Sequence, residues 1–295
     1  MQRKTIASEV TFKGFCPFHG GVANVRLCPA KCGSGIRFIR DDLINKFGEK
    51  SVIVVNREAH FDCSKLNTII SNGYCEIYMV EHILSALWAF RISDIDIHID
   101  CNEIPMMDGS SSYWVSAIET AGEKFFYNTN VTYYTVDCEL KYEEDDKYIL
   151  LRPCDRLKIT YTIDFHEQTI GKNTFVYDEN INSYKKDISF ARTFCTEQQV
   201  SQHMAIKKYF NNYDMIVYGN NDIFIADNVC KKRYSNEPTR HKILDLIGDL
   251  MSTGDFFCGE FICYKSGHSM NRKIIDLFYN RYDAKKRLKI KKMSS

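Results

Sequence analysis

The first half of the chain alternates short strand-like segments with helical ones. Residues 94–100 alternate strictly between polar and apolar, which places Ile95, Ile97 and Ile99 on one face of a predicted strand. Residues 80–90 carry apolar side chains at helical spacing and predict a buried helix. The other elements predicted in this half are strands at 38–40 and 51–55, a turn at 104–112 and a helix at 113–121. The serines that end this turn could cap the helix that follows.

The second half repeats the same mixture of strands and helices. Leu157, Ile159, Tyr161 and Ile163 alternate with polar residues and predict a strand, and Asp145-Asp146 predicts a turn. Further strands are predicted at 132–142, 148–152, 215–218, 222–225 and 257–264, and helices at 197–208, 240–250 and 271–282. No residue-level repeat relates the two halves. A boundary between them is expected near residues 126–132.

Composition narrows the class of protein. Of the 295 residues, 44% are hydrophobic and 26% are charged, which suits a packed core and argues against a disordered chain. The net charge of +1 gives no overall field that favours nucleic acid, so no nucleic-acid partner is expected. No apolar run reaches the roughly 18 residues of a membrane span, and the first residues lack the apolar core of a signal peptide. We therefore expect a cytoplasmic protein, acting as a monomer.

The cysteines are expected to be reduced thiols in that compartment, although there are twelve of them. Cys28 and Cys32 form a C-x3-C pair, but no second pair has matching metal spacing. We interpret both as ordinary thiols.

Basic residues crowd the end of the chain, at Lys285, Lys286, Arg287, Lys289, Lys291 and Lys292. One interpretation of residues 284–295 is a solvated tail. The other is weak contact with an anionic membrane surface, where each basic residue contributes about 1 kcal/mol.

The predicted helix at 240–250 carries the strongest chemical signal. His241 and Asp245 are four residues apart, so they share one helix face, and Asp249 follows one turn later. Most of the other side chains are apolar, which predicts a buried helix. Two buried metal-capable side chains one turn apart resemble part of a zinc site, which needs a third protein ligand. The alternative is an Asp and a His that are exposed or paired with each other.

His82 is the best candidate for the third ligand among the eight histidines, because it lies on the predicted helix at 80–90. Glu81 is its neighbour. Zinc lowers the pKa of bound water to about 7, and a nearby carboxylate can take the proton. A solvent-exposed acid is the alternative interpretation of Glu81. His268 follows a glycine in a loop, where an imidazolium held by Asp249 could stabilise an oxyanion; a surface histidine is its alternative.

Five blocks of the sequence follow one another in a specific order. They are Val80-Glu81-His82, Glu103-Ile-Pro-Met-Met-Asp-Gly-Ser110, Ala191-Arg-Thr-Phe194, Arg240-His-Lys-Ile-Leu-Asp-Leu-Ile-Gly-Asp-Leu250 and Tyr264-Lys-Ser-Gly-His268. Together they resemble the zinc-dependent UDP-3-O-acyl-N-acetylglucosamine deacetylases of lipid A biosynthesis. The resemblance extends over about residues 2–282. Each block is weak alone, but five in the same order are specific.

The resemblance implies a role for each matched residue. His82, His241 and Asp245 would hold one zinc ion per chain. Ferrous iron could occupy the same two-His, one-carboxylate set. The implied catalytic residues are Glu81 as general base, His268 as general acid, Asp249 as its partner and Thr193 as oxyanion donor. Those implied to bind an acylated UDP-sugar are Lys242 and Lys265 at the diphosphate, and Phe165 and Phe194 against uridine or sugar.

The fold that the resemblance implies is α+β. Two similar domains would each pack a helical layer on a β-sheet, with the active site between them. Residues 1–127 would carry Glu81 and His82, residues 128–283 would carry His241, Asp245 and His268, and residues 284–295 would form the basic tail.

Departures from the family pattern keep other functions open. Tyr78-Met79 stands where the family usually has Ser-Thr, and residues 195–203 are more polar than the family's acyl-channel region. The lead hypothesis is a zinc amidohydrolase that removes acetate from UDP-3-O-acyl-N-acetylglucosamine. A non-catalytic, zinc-stabilised protein that binds a nucleotide sugar or a partner is the second. A zinc hydrolase of another acylated nucleotide sugar is the third. A zinc nucleoside deaminase is disfavoured because the C-x2-C ligand pair is absent.

Overall fold

A computed structural model describes residues 1–62, 67–179, 183–202, 216–225 and 228–293, with side chains of the final helix described to residue 283. The strands of the first half are β1 (Gln2–Ile6), β2 (Val10–Cys16), β3 (Gly21–Pro29), β4 (Ile36–Arg40), β5 (Val52–Val54), β6 (His60–Asp62), β7 (Ile69–Ser71), β8 (Glu76–Tyr78), β9 (Ile95–Ile99) and β10 (Glu123–Asn130). Those of the second half are β11 (Tyr133–Tyr134), β12 (Leu140–Glu144), β13 (Lys147–Arg152), β14 (Leu157–Asp164), β15 (Lys172–Asp178), β16 (Phe194–Thr196), β17 (Ile216–Tyr218), β18 (Ile223–Ile225), β19 (Asn228–Val229), β20 (Phe256–Phe257) and β21 (Gly259–Tyr264). The α-helices are α1 (Ile44–Phe47), α2 (Glu81–Ala89), α3 (Ser112–Ala121), α4 (Glu197–Gln202), α5 (Glu237–Met251) and α6 (His268–Met293).

Two five-stranded sheets share one topology. Their strand orders are β2-β3-β9-β4-β5 and β12-β13-β21-β14-β15. In each sheet the last strand along the chain lies in the centre, antiparallel to the second strand and parallel to the third. A helix precedes that central strand and another follows it, as α2 and α3 do in the first half and α5 and α6 in the second. The halves are therefore topological repeats, although their residues show no repeat.

Each half also carries a small sheet inserted before its first long helix. Strands β6–β8 form this insert in the first half and β16–β19 form it in the second. The predicted α+β class with two similar sheet-and-helix units is confirmed. The predicted boundary at residues 127 and 128 lies within β10, which pairs with β1. That boundary and the one at residues 283 and 284, inside α6, stay predictions.

Helices α2 and α5 pack against each other and join the apolar faces of both sheets into one core. On the central strand β9, Ile95, Ile97 and Ile99 are fully buried, while Asp96 and His98 face the other side, as the alternation predicts. Helix α5 is buried on nearly every face, which is typical of a helix between two layers and unlike a surface helix.

Several predicted elements have different limits in the structure. The final helix begins at His268, three residues earlier than predicted, and extends to Met293. The helix predicted at 197–208 is described from Glu197 to Gln202, and residues 203–208 lie outside the described part. The expected N-cap is wrong for Ser111, because its hydroxyl donates to the backbone oxygen of His82, 2.8 Å away. None of the helices described is long and apolar enough to cross a bilayer.

Candidate metal centre and catalytic site

Three metal-capable side chains converge where α2 meets α5. His82 is the second residue of α2, and His241 and Asp245 are one turn apart on α5. Their ligand atoms all lie within 4.8 Å of one another. Asp245 Oδ1 is 3.2 Å from His241 Nε2 and 3.8 Å from His82 Nε2. The predicted trio is thus brought together, and two imidazoles with one carboxylate form the ligand set of a three-residue metal site.

The hydrogen bonds of the trio suit metal binding. His241 Nδ1 lies 3.0 Å from the Ala191 carbonyl oxygen, so this nitrogen donates and leaves the Nε2 lone pair for a metal. Burial, reinforced by the nearby His241, lowers the pKa of His82 to about 3 and keeps its imidazole neutral. Burial alone would raise the pKa of Asp245, but His241 and Lys242 hold it well below its usual range. A neutral His82 and an ionised Asp245 are protonation states that suit metal ligands.

Glu81 adds a fourth buried polar group at the start of α2. Its Oε2 accepts a hydrogen bond from the Thr68 backbone N–H at 3.0 Å. Burial raises the pKa of Glu81 to about 8, although the nearby His268 opposes this shift. A general base is most effective when its pKa lies near the working pH, so a buried carboxylate with a raised pKa is suited to take a proton from water.

His268 and Asp249 form a hydrogen-bonded pair beside the trio. His268 Nδ1 is 2.8 Å from Asp249 Oδ2, and its Nε2 is 3.8 Å from Asp245 Oδ2. Burial alone would lower the pKa of His268, but Asp249 and Asp245 outweigh it and raise the pKa to about 9. The imidazole is therefore protonated at neutral pH, as a general acid requires.

Two residues that contact Asp249 were not predicted from the sequence. The Thr68 hydroxyl donates to Asp249 Oδ1 at 2.6 Å, and Asn271 Nδ2 donates to Asp249 Oδ2 at 2.7 Å. Neither residue lies in one of the five sequence blocks. Asn271 is three residues beyond His268 on α6, a spacing that could have signalled a shared face.

A buried ion pair holds the segment 191–194 against α5. Arg192 Nε is 2.8 Å from Oε1 of Glu237, the first residue of α5. The same segment supplies the Ala191 carbonyl to His241 and places the Phe194 ring 6.3 Å from the His241 ring. Thr193 lies between them and donates its backbone N–H to the Gly109 oxygen at 2.7 Å. Thr193 thus belongs to the segment that contacts His241 on either side of it, while its role as oxyanion donor stays a prediction.

The residues expected to bind substrate occupy two places. Lys242 Nζ lies 2.9 Å from Asp245 Oδ2 and 5.8 Å from the Phe194 ring, while Phe165 packs edge-on against Phe194 at 5.7 Å. Lys242 and Phe194 therefore adjoin the metal-capable trio, and Phe165 lies on the other side of the Phe194 ring contact. Lys265 lies at the end of β21 and pairs with Asp146, on the turn between β12 and β13, at 2.5 Å. Its contact with a diphosphate stays a prediction.

Comparison with known proteins assigns this arrangement to a family. The model of the family described as UDP-3-O-acyl N-acetylglycosamine deacetylase matches residues 3–280. A UDP-3-O-acyl-N-acetylglucosamine deacetylase of Campylobacter hominis is 33% identical over 278 residues, which cover 93% of this chain and 90% of that protein. Proteins of the same name from Leptospira biflexa and Aquifex aeolicus are 33% and 29% identical, covering 92% of this chain and 87% and 91% of their own. The resemblance predicted from five blocks is confirmed, and the chain belongs to the UDP-3-O-acyl-N-acetylglucosamine deacetylase family.

Proposed function

We propose that this protein is a metal-dependent deacetylase that hydrolyses the 2-acetamido group of UDP-3-O-acyl-N-acetylglucosamine in lipid A biosynthesis. The proposal depends mainly on one observation. The metal-capable trio, the buried carboxylate of Glu81 and the His268 imidazole bound to Asp249 converge where α2 meets α5. Both halves contribute to it. A protein that only bound a nucleotide sugar would need neither the base nor the acid.

His82, His241 and Asp245 would hold the metal, for which we propose zinc, with ferrous iron as the alternative. When bound, the ion supplies Lewis-acid chemistry, polarising the amide carbonyl and making water a stronger acid. The donor set fits because both imidazole Nε2 atoms approach one carboxylate oxygen and His241 is oriented by its bond to Ala191.

The protein's own groups would move the protons. Glu81 takes a proton from the attacking water as the new C–O bond forms at the acetyl carbon. His268 gives the proton on its Nε2 to the sugar nitrogen as the C–N bond breaks, which releases acetate and a free amine. Asp249 keeps Nδ1 of His268 protonated, so that Nε2 is the nitrogen that faces the centre. Thr193 would donate its hydroxyl to the developing oxyanion.

Substrate recognition would use groups beside the trio and one at the end of β21. Lys242 and Lys265 supply positive charge for the diphosphate, and Phe165 and Phe194 supply ring faces for uridine or sugar. Lys265 would exchange Asp146, its present partner, for a phosphate oxygen.

Acetate release tests the proposal. Purified protein is assayed on UDP-3-O-acyl-N-acetylglucosamine before chelation, after chelation and after zinc or ferrous iron is added back. We expect activity that chelation removes and metal restores. Tight UDP binding without acetate release would favour the non-catalytic alternative. Release only from a substrate with a different acyl group or sugar would favour the third hypothesis. The polar segment 195–203 is the observation that motivates the second, non-catalytic one.

Localisation and assembly are part of the same proposal: a cytoplasmic monomer with weak membrane contact through residues 284–295. The side chains of that segment lie outside those that the structure describes. Liposome co-sedimentation of the full chain and of a chain ending at residue 283 tests the contact. Equal binding of the two to liposomes would contradict a membrane contact through residues 284–295.

A further inference from the structure

Thr68 lies at the point where the two proposed proton-transfer groups come closest. It directly precedes β7 and is fully buried. Its backbone N–H donates to Glu81 Oε2 at 3.0 Å, and its hydroxyl donates to Asp249 Oδ1 at 2.6 Å. Its carbonyl oxygen accepts from the backbone N–H of Val80 at 3.3 Å, which ties it to the start of α2. One residue of the first half therefore touches the base and the partner of the acid.

The contacts of Asp249 show what the Thr68 hydroxyl adds. Oδ2 of this carboxylate accepts from His268 Nδ1 at 2.8 Å and from Asn271 Nδ2 at 2.7 Å. Oδ1 accepts from Thr68, and no other side chain in the described ranges donates to it. His268 Nδ1 is also 3.3 Å from the Thr68 oxygen. Two donors on Oδ2 locate one oxygen, whereas the plane of the carboxylate is set only when Oδ1 is held as well.

We propose that Thr68 is a positioning residue. It aligns Glu81, which belongs to the first half, with the Asp249–His268 pair, which belongs to the second. This inference rests on the proposed function for its catalytic meaning. A β-branched side chain has few χ1 rotamers, so the backbone contact to Glu81 also fixes where the hydroxyl points. Catalysis by two groups on different halves depends on such alignment, because small displacements of reacting groups slow the reaction.

Kinetic comparison of three variants tests this role. Thr68→Val removes the hydroxyl and keeps the shape and the backbone N–H, while Thr68→Ser keeps the hydroxyl. Thr253→Val is the matched control, since Thr253 is also buried and its hydroxyl donates to the Leu250 carbonyl at 2.9 Å. For Thr68→Val we expect kcat to fall about ten- to a hundredfold, as losses of such supporting contacts do, with KM and metal content unchanged. Thr68→Ser should recover most of kcat, and Thr253→Val should keep it.

Proton NMR of ¹⁵N-histidine-labelled protein gives a second readout that needs no activity. The His268 Nδ1–H, donated to a carboxylate, should give a downfield signal that shifts or broadens in Thr68→Val and returns in Thr68→Ser. The His241 Nδ1–H, donated to Ala191, serves as internal reference and should stay in place. An unchanged His268 signal and an unchanged kcat in Thr68→Val would overturn the inference. So would equal losses in the Val and Ser variants. A wild-type protein without acetate release would instead contradict the proposed function, while the NMR comparison would still decide the role of Thr68.

Discussion

A Cβ atom on Gly248 of α5 would lie 2.1 Å from the backbone oxygen of Glu81 on α2. The two helices therefore touch backbone to backbone, one residue before His82. This approach brings His82 to the two ligands on α5. Glycine in a helix costs about 1 kcal/mol relative to alanine, so the contact outweighs helix propensity at this position.

Gly248→Ala should separate the helices and weaken both folding and metal binding. Propensity alone would stabilise the protein by about 1 kcal/mol, so even the sign of the change is informative. We expect a lower melting temperature and a weaker affinity in a metal titration. Ser116→Ala, on the exposed face of α3, is the control, because it raises propensity without a clash. A Gly248→Ala protein that melts higher and binds metal normally would contradict the packing described.

His241→Ala should remove metal binding. It deletes one of three ligands and leaves the Ala191 carbonyl without its donor. We expect metal content after dialysis to fall close to zero, with acetate release lost in parallel. His98→Ala is the control, since His98 lies on β9 of the first sheet and pairs with Asp41, so this variant should keep its metal content. Full metal occupancy in His241→Ala would place the ion elsewhere.

Asp249→Asn should move the alkaline limb of the pH profile. If Glu81 must be ionised and His268 protonated, kcat/KM rises through the pKa of Glu81 and falls through that of His268. Asp249 is among the groups that raise the His268 pKa to about 9, so removing its charge should shift the alkaline limb to lower pH. Asp96→Asn, whose partner is Arg37, should not shift it. If the alkaline limb of Asp249→Asn does not move, that limb does not report the ionisation of His268.

Lys265→Ala should raise KM and leave kcat nearly unchanged. A point charge that contacts the diphosphate stabilises substrate and transition state alike, and losing such uniform binding appears in KM. The increase should shrink at high ionic strength, because salt screens an exposed pair. Lys124→Ala, on the exposed strand β10, provides the comparison. Equal KM values for the two variants at low salt would show that Lys265 does not contact the substrate.

The sequence was most informative where one helix carries the chemistry. His241 and Asp245 are one turn apart, so helical spacing alone predicted a shared face. The strict alternation around Ile97 likewise predicted the central strand β9. His82 comes from the other half of the chain, so the sequence pattern made it only a candidate ligand. The family resemblance was needed to group it with His241 and Asp245.

Other parts of the site could not be predicted because they depend on long-range contacts. Thr68 reaches partners 13 and 181 residues away, from a stretch with no periodic pattern. The family resemblance implied two similar units, but the strand order that they share could not be predicted from the residues, since strand order constrains which elements are neighbours and not which residues form them. Ser111 was expected to cap α3, but its hydroxyl binds the His82 carbonyl because α2 packs beside it. Tertiary packing replaced the local interaction.

Glu81→Gln tests the central claim most directly, with metal content and acetate release measured on the same sample. The substitution keeps the shape of the side chain and all three metal ligands, and removes the carboxylate charge together with the ability to take a proton. We predict about one metal ion per chain and a fall in kcat of about a hundred- to ten-thousandfold, the usual contribution of a general base. Turnover near the wild-type rate in the metal-loaded variant would contradict the account.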